Sequence, residues 1–77
     1  MQITEPITAT AIETTYDRLA IVIGDRRVRI PWEQCSSVLA NATQLQRLTA
    51  QLSPGGCGIH WPLLDEDMSV RGLLRKA

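Results

Sequence analysis

The chain has 77 residues, of which 44% are apolar and 21% are charged. That length provides for one domain, and the apolar share excludes an intrinsically disordered tail. Eight basic residues balance eight acidic ones. The net charge of zero leaves no overall field to hold a polyanion, which argues against bulk nucleic-acid binding.

The beginning of the chain predicts a loose leader, residues 1–8, followed by a single domain, residues 9–77. The leader has neither the basic start nor the apolar stretch of a signal peptide. No apolar run approaches the ~20 residues of a membrane span. We therefore expect a cytoplasmic protein with no membrane partner and with reduced thiols at Cys35 and Cys57. Because so small a domain has a small core, association into a homodimer is a further expectation.

Strand signals dominate the first half of the domain. Residues 9–13 favour a short first strand, and Gly24-Asp25 divides residues 18–30 into two strand-like runs. Glycine in the first central position favours a two-residue type II′ turn, which fixes the register of the hairpin. This register places four apolar side chains on one face: Leu19, Ile21, Val28 and Ile30. The other face then carries Arg27 and Arg29.

Helical signals follow Pro31. They predict helices over residues 32–39 and 44–52 and a last helix that begins after Ser69, with the Thr43-x-x-Gln46 spacing of a capping box before the second. The expected inward side chains are Cys35, Val38, Leu39, Leu45, Leu48, Leu52, Val70, Leu73 and Leu74. Residues 57–61 alternate and predict a strand. The order is β-β-β-α-α-β-α, which indicates an α+β fold, an antiparallel hairpin or meander with short helices packed on one face.

The candidate site residues concentrate near the end of the chain. They are the single histidine, a tryptophan and three consecutive acids: His60, Trp61, Asp65, Glu66 and Asp67. A zinc site is disfavoured, because Cys57 and His60 would point to opposite faces of a strand and no second ligand pair follows. Acid–base catalysis by His60 with Asp65 or Asp67 lacks a companion nucleophile pattern. The remaining hypotheses are architecture, in which Trp61 is core and the acids cap turns and the last helix, and a docking surface.

A nucleic-acid interface is the alternative. Two basic groupings would carry it: Arg27 and Arg29 on the hairpin, and Arg71 and Arg75 in the last helix. Residues 33–39 and 44–52 also have the order of a helix-turn-helix. However, Arg47 is the single basic residue of the second helix, which is little positive charge for binding DNA phosphates.

Three segments of the chain resemble a small bacterial family, the domain of unknown function family 2442. The C-terminal segment carries its longest signature: Gly58-Ile59-His60-Trp61-Pro62-x-Leu64-Asp65-Glu66-Asp67-x-Ser69-Val70-x-Gly72-Leu73-Leu74. The hairpin ending at Pro31 is similar to the family's, with Gly24-Asp25-Arg26 where the family has Asp-Gly-Arg. Ala42-Thr43 opens a segment similar to the family's "A-T-x-E-Q". The likeness extends over about residues 10–75.

This resemblance implies a small α+β domain with no assigned activity, catalytic residue or cofactor. It also implies a small protein partner, because some relatives are encoded beside a second small protein, as in toxin–antitoxin pairs. Other relatives are fused to a helix-turn-helix. We therefore expect a non-enzymatic protein-interaction module, without metal or cofactor, that is the antitoxin-like partner of a small neighbouring protein and contacts it through the candidate residues. A dimeric DNA-binding regulator is the alternative.

Overall fold

A computed structural model describes residues 7–77 and shows the expected α+β fold. Its elements are β1 (Ala11–Thr14), β2 (Arg18–Ile23), β3 (Arg26–Pro31), α1 (Trp32–Cys35), α2 (Ser37–Ala40), α3 (Gln44–Leu48), β4 (Gln51–Leu52), β5 (Gly58–Trp61), β6 (Glu66–Ser69) and α4 (Val70–Leu74). Of the predicted leader, residues 1–6 lie outside the described residues, while Ile7 and Thr8 have no regular structure. No helix within the described part of the chain is long and apolar enough to cross a membrane.

The first sheet has the strand order β1-β2-β3 and confirms the predicted hairpin. Ile21 pairs with Val28 in the predicted register. Gly24 has a φ of 61°, whereas Asp25 is not among the residues with positive φ. This combination fits the predicted type II′ turn and excludes type I′, which needs positive φ at both central positions.

The second sheet, with the order β4-β5-β6, is only partly predicted by the sequence. Strand β5 is confirmed, but residues 66–69 form a strand where the sequence indicated a polar approach to the last helix. Pairing with β5 extends this segment although acidic residues have low strand propensity. The helix that follows begins where expected, since the Gly72 N–H donates to Ser69 Oγ at 2.9 Å.

The predicted helix over residues 32–39 is two short helices. Ser36 divides them, because its backbone is extended and its Oγ accepts from the Leu39 N–H at 3.1 Å. Cys35 and Leu39 are buried as expected, but Val38 is exposed. A local serine cap therefore outweighs continuation of the helix at this point.

The predicted nine-residue helix over residues 44–52 is also wrong in extent. It keeps its capping box, in which Thr43 and Gln46 bond reciprocally, but it ends at Leu48. Gln51–Leu52 instead forms β4 against β5. Leu45 and Leu48, expected to face inward, are exposed. The helical spacing of these leucines gave a wrong prediction, because β4 forms by pairing with β5 and this pairing is not visible in the local sequence.

The core lies between the two sheets and centres on two tryptophans. The rings of Trp32 and Trp61 meet edge to face, with centroids 6.4 Å apart and an interplanar angle of 80°. The other side chains of the core with less than 2% exposure are Leu19, Ile21, Ile30, Cys35, Leu39, Ile59, Val70 and Leu73. Trp61 thus occupies the core position that the architectural hypothesis gave it.

Candidate interaction surface on the second sheet

The outer face of the second sheet carries a row of polar side chains. Gln51 on β4 is paired with His60 on β5, and His60 is paired with Asp67 on β6. Because successive side chains of a strand point to opposite faces, this row shares its face with Gly58 and Ser69. The opposite face, toward the core, carries Leu52, Ile59, Trp61, Met68 and Glu66.

His60 and Asp67 form a cross-strand pair. The imidazole Nδ1 and Asp67 Oδ1 are 2.8 Å apart, and 39% of the His60 side chain and 76% of the Asp67 side chain are exposed. The carboxylate fixes the ring so that Nε2 is the nitrogen left for another group. The sequence raised both Asp65 and Asp67 as partners of His60, and the structure selects Asp67.

Two of the other predicted site residues lie away from this pair. Asp65 is exposed in the turn between β5 and β6, with a φ of 50°. Glu66 is paired with Trp61 and is half-buried. Among these three acids, only Asp67 therefore stands on the outer face of the second sheet.

Trp61 does not belong to this surface. Its side chain is 0% exposed, so it is not available to a partner as a contact residue. Its Nε1 has no hydrogen-bond partner among the described residues. The prediction that Trp61 is a contact residue is therefore corrected: this side chain supports the sheet from the core.

An open groove runs beside the polar row. Its volume is about 320 Å³ and most of its surface is apolar. One side is lined by Gly58 and Ile59 of β5 and by Cys57 just before it, and the other side by Asp67, Met68 and Ser69 of β6. Ser53 completes the lining. Sequence analysis did not identify the groove, because strand pairing brings its two sides together from separate segments.

The charged residues of the second sheet and its loops have one sign. Residues 48–70 contain no lysine or arginine, and their formal charges are those of Asp65, Glu66 and Asp67. The second sheet is consequently acidic within a chain of zero net charge. The long interval without basic residues is the sequence signal that would have identified this surface.

The predicted basic residues are distributed over two elements. Arg27 and Arg29 lie on β3 and share the outer face of the first sheet, while Arg71 lies in α4 and Arg75 follows it. Arg27 Nη2 is 3.1 Å from Glu13 Oε2, so its charge is already paired. Arg47, the basic residue of the proposed second helix, donates from Nε and Nη2 to the carbonyls of Leu39 and Ala40, both at 2.9 Å. The helix-turn-helix hypothesis is thereby weakened, because its second helix ends at Leu48 and the basic residue of that helix is engaged within the domain.

A metal-binding cluster is not formed by the residues that the structure describes. No group of three or more histidine, cysteine, aspartate or glutamate side chains comes together in residues 7–77. Cys35 is buried, Cys57 is exposed and both thiols are free. The predicted inward position of Cys35 is thus confirmed, whereas Cys57 lies at the surface.

The family profile described as "Protein of unknown function (DUF2442)" matches residues 8–77. The chain belongs to the DUF2442 family. The resemblance seen in the sequence is thereby confirmed over the whole domain. None of the curated proteins matches this DUF2442 protein.

Two solved structures share the fold. A crystal structure of a protein of unknown function from Rhodospirillum rubrum is 24% identical, with a TM-score of 0.79 over 94% of this chain and 88% of that one. An NMR structure of an uncharacterised protein from Chromobacterium violaceum is also 24% identical, with a TM-score of 0.72 over 90% of this chain and 65% of that one. This DUF2442 protein thus spans less than two thirds of the Chromobacterium chain. These likenesses establish the fold.

Proposed function

We propose that this DUF2442 protein is a non-enzymatic protein-interaction module of the cytoplasm. The partner is a small protein encoded beside it, in the manner of a toxin–antitoxin pair. The contact surface is the outer face of the second sheet, with His60 and Asp67 at its centre. Asp65 adjoins it in the turn between β5 and β6, and the half-buried Glu66 at the start of β6 contributes its charge from the opposite face.

The observation that carries this proposal is the segregation of charge onto one sheet. Residues 48–70 combine three acids with no lysine or arginine, and the Asp67 side chain on the outer face is 76% exposed. A surface with charges of one sign steers a partner of opposite charge and suppresses partners with the same charge. A small basic protein is therefore the partner that this surface fits.

The pairing of His60 with Asp67 gives the surface a fixed geometry. Both side chains are held by a 2.8 Å contact between neighbouring strands. Polar groups held in one conformation lose less freedom when a partner binds. The pair supplies two preorganised groups to a partner: the Asp67 carboxylate, which accepts hydrogen bonds, and the Nε2 nitrogen of His60.

Co-expression with each small protein encoded beside this chain tests the proposal. We expect one of them to co-purify in a stoichiometric complex by light scattering. In calorimetry, Asp67→Asn should weaken binding by about tenfold, the size expected for a hydrogen bond to a charged group. Asp25→Asn is the matched control, because it removes an exposed acid from the first sheet. Absence of any complex, or an equal loss in both variants, would contradict the proposal.

The alternative is a dimeric DNA-binding regulator that uses Arg27, Arg29, Arg71 and Arg75. It has less support, because Glu13 already pairs with Arg27 at 3.1 Å. A salt-titrated shift assay with the DNA upstream of the gene separates the two proposals. The DNA hypothesis requires binding tighter than to random DNA, with an affinity that falls steeply as salt rises.

A further inference from the structure

We infer that the groove over Gly58 takes an arginine side chain of the partner, whose guanidinium pairs with Asp67. This inference deepens the proposed function and rests on it for the existence of a partner. It concerns the chemistry that the groove recognises. Three features of the groove support the inference: the glycine in its lining, its apolar surface and the Asp67 carboxylate.

Gly58 lines the groove without a side chain, so the space above it is available to a ligand. Strand alternation directs position 58 to the same face as His60 and Asp67. A Cβ placed on Gly58 would stand 3.5 Å from the Met68 carbonyl oxygen and 3.6 Å from Ser53 Oγ, which are ordinary contacts. An alanine would therefore be accommodated by the sheet while it takes up part of the groove.

The surface of the groove suits an aliphatic stem with a charged head. Its volume of about 320 Å³ lies at the lower end of ligand pockets, which hold roughly 300–1,000 Å³, and it is mostly apolar. Lysine and arginine bury their methylene stems along such surfaces while the charged group stays in contact with water. A long basic side chain is thus the occupant that fits both the shape and the charge.

The carboxylate of Asp67 selects arginine over lysine. Oδ1 accepts from His60, whereas Oδ2 has no partner within residues 7–77. A carboxylate has about four lone-pair sites, so both oxygens still accept bonds. The planar guanidinium donates two parallel bonds to a carboxylate, which the ammonium of lysine does not do. His60 holds the carboxylate in one orientation for this fork.

Titration with three short peptides, followed by the amide NMR signals of the full chain, tests the inference. The probe is acetyl-Gly-Arg-Gly-amide, and its lysine and citrulline counterparts are the controls. We expect the arginine peptide to shift the signals of Gly58, Met68 and Ser69, with a Kd on the order of 1 mM. The lysine and citrulline peptides should bind at least about fivefold more weakly, because lysine lacks the planar pair of N–H donors and citrulline lacks the positive charge. Equal binding of all three peptides, or shifts confined to other residues, would overturn it.

Three variants separate the groove from general acidity. Gly58→Ala adds a methyl group to the groove lining and Asp67→Asn removes the charge, so each should weaken binding of the arginine peptide by about tenfold. Asp25→Asn removes an exposed acid from the hairpin turn of the first sheet and should change binding by less than about twofold. Equal losses for Asp25→Asn and Asp67→Asn would show attraction by net charge alone and would refute the groove.

The same variants distinguish this inference from the proposed function. If the co-expressed partner binds Gly58→Ala as tightly as the wild type, the groove inference fails while the interaction module stands. If the arginine peptide binds as described and no neighbouring protein forms a complex, the groove stands and the proposed partner fails. Circular dichroism of Gly58→Ala verifies that the sheet is intact in both experiments.

Discussion

At the residue scale, the two tryptophans share the core but differ in their polar contacts. Trp32 Nε1 donates to the Thr15 carbonyl at 3.0 Å, whereas Trp61 Nε1 is buried and has no partner within residues 7–77. The sequence left a core position and a contact position open for Trp61, and the complete burial of its side chain decides for the core. The partner of Trp32 was beyond prediction, because Thr15 lies in a turn 17 residues earlier.

Truncation of Trp61 should be severe. Trp61→Ala removes a fully buried side chain, and we expect the free energy of unfolding to fall by about 3–5 kcal/mol. Urea denaturation followed by circular dichroism measures this loss. A loss below about 1 kcal/mol would be typical of a surface residue and would contradict the core position.

Replacement of each tryptophan by phenylalanine isolates the indole N–H. Trp32→Phe leaves the Thr15 carbonyl without its donor, while Trp61→Phe removes a donor that has no acceptor among the residues that the structure describes. We expect Trp32→Phe to be more destabilising than Trp61→Phe by about 1–2 kcal/mol. The two unfolding curves provide the comparison, and equal losses would show that the N–H of Trp32 contributes nothing.

The buried thiol of Cys35 should make stability depend on alkaline pH. Burial raises the pKa of Cys35 from its ordinary value of 9.0 to about 11. Because the unfolded chain releases this proton first, stability is fully present below about pH 9 and falls as pH rises toward 11. The loss attributable to this thiol is roughly 2 kcal/mol. Denaturation series between pH 8 and pH 11 should show a smaller decline in Cys35→Ala than in Cys57→Ser, which retains the buried thiol. Parallel declines would refute the assignment.

At the element scale, the sequence predicted the elements that depend on local interactions and missed those that depend on pairing between separate segments. The hairpin was predicted residue by residue, because turn chemistry at Gly24 and strand alternation are local and agree. Strand β4 was missed, because its formation depends on pairing with His60 and Ile59. Strand β6 was missed for the same reason: its acids favour a turn, and only β5 makes them extended.

The same distinction applies to the candidate site. His60 and the acids were singled out from composition, but the choice of Asp67 required the register of β5 with β6. The groove required both strands as well. Sequence reasoning therefore identified the residue types of the surface and left its geometry to long-range pairing.

Arg47 holds α3 against the rest of the domain. Its guanidinium bonds the Leu39 and Ala40 carbonyls at the end of α2 and lies 5.6 Å from the centre of the Trp32 ring. Lysine cannot reproduce this planar fork. We expect Arg47→Lys to cost roughly 2–3 kcal/mol of stability and to speed amide exchange in α3. Arg29→Lys, at an exposed position, is the control and should stay within about 0.5 kcal/mol. Similar effects of both variants would contradict the role of Arg47.

At the scale of the whole molecule, a backbone contact joins the approach to the first sheet with the loop of the second. The Ala9 N–H donates to the Gly56 carbonyl at 2.8 Å, and Ala9 is buried. The sequence did not predict that Gly56 is where the two halves of the fold meet.

Gly55 and Gly56 form a matched pair that tests this junction. Both have positive φ, 88° and 77°, but an added Cβ would meet nothing within 4 Å at Gly55 and would overlap the Ala9 backbone at Gly56. Gly55→Ala should cost only the backbone strain, about 1 kcal/mol. Gly56→Ala adds displacement of Ala9 and should cost at least about 2 kcal/mol more, in the range of an overpacked core. Urea denaturation gives both values, and amide exchange should locate the extra loss of Gly56→Ala at residues 9–14 and 53–58. If the two variants are equally stable, the two sheets are held together by their side-chain core alone and this backbone junction is dispensable.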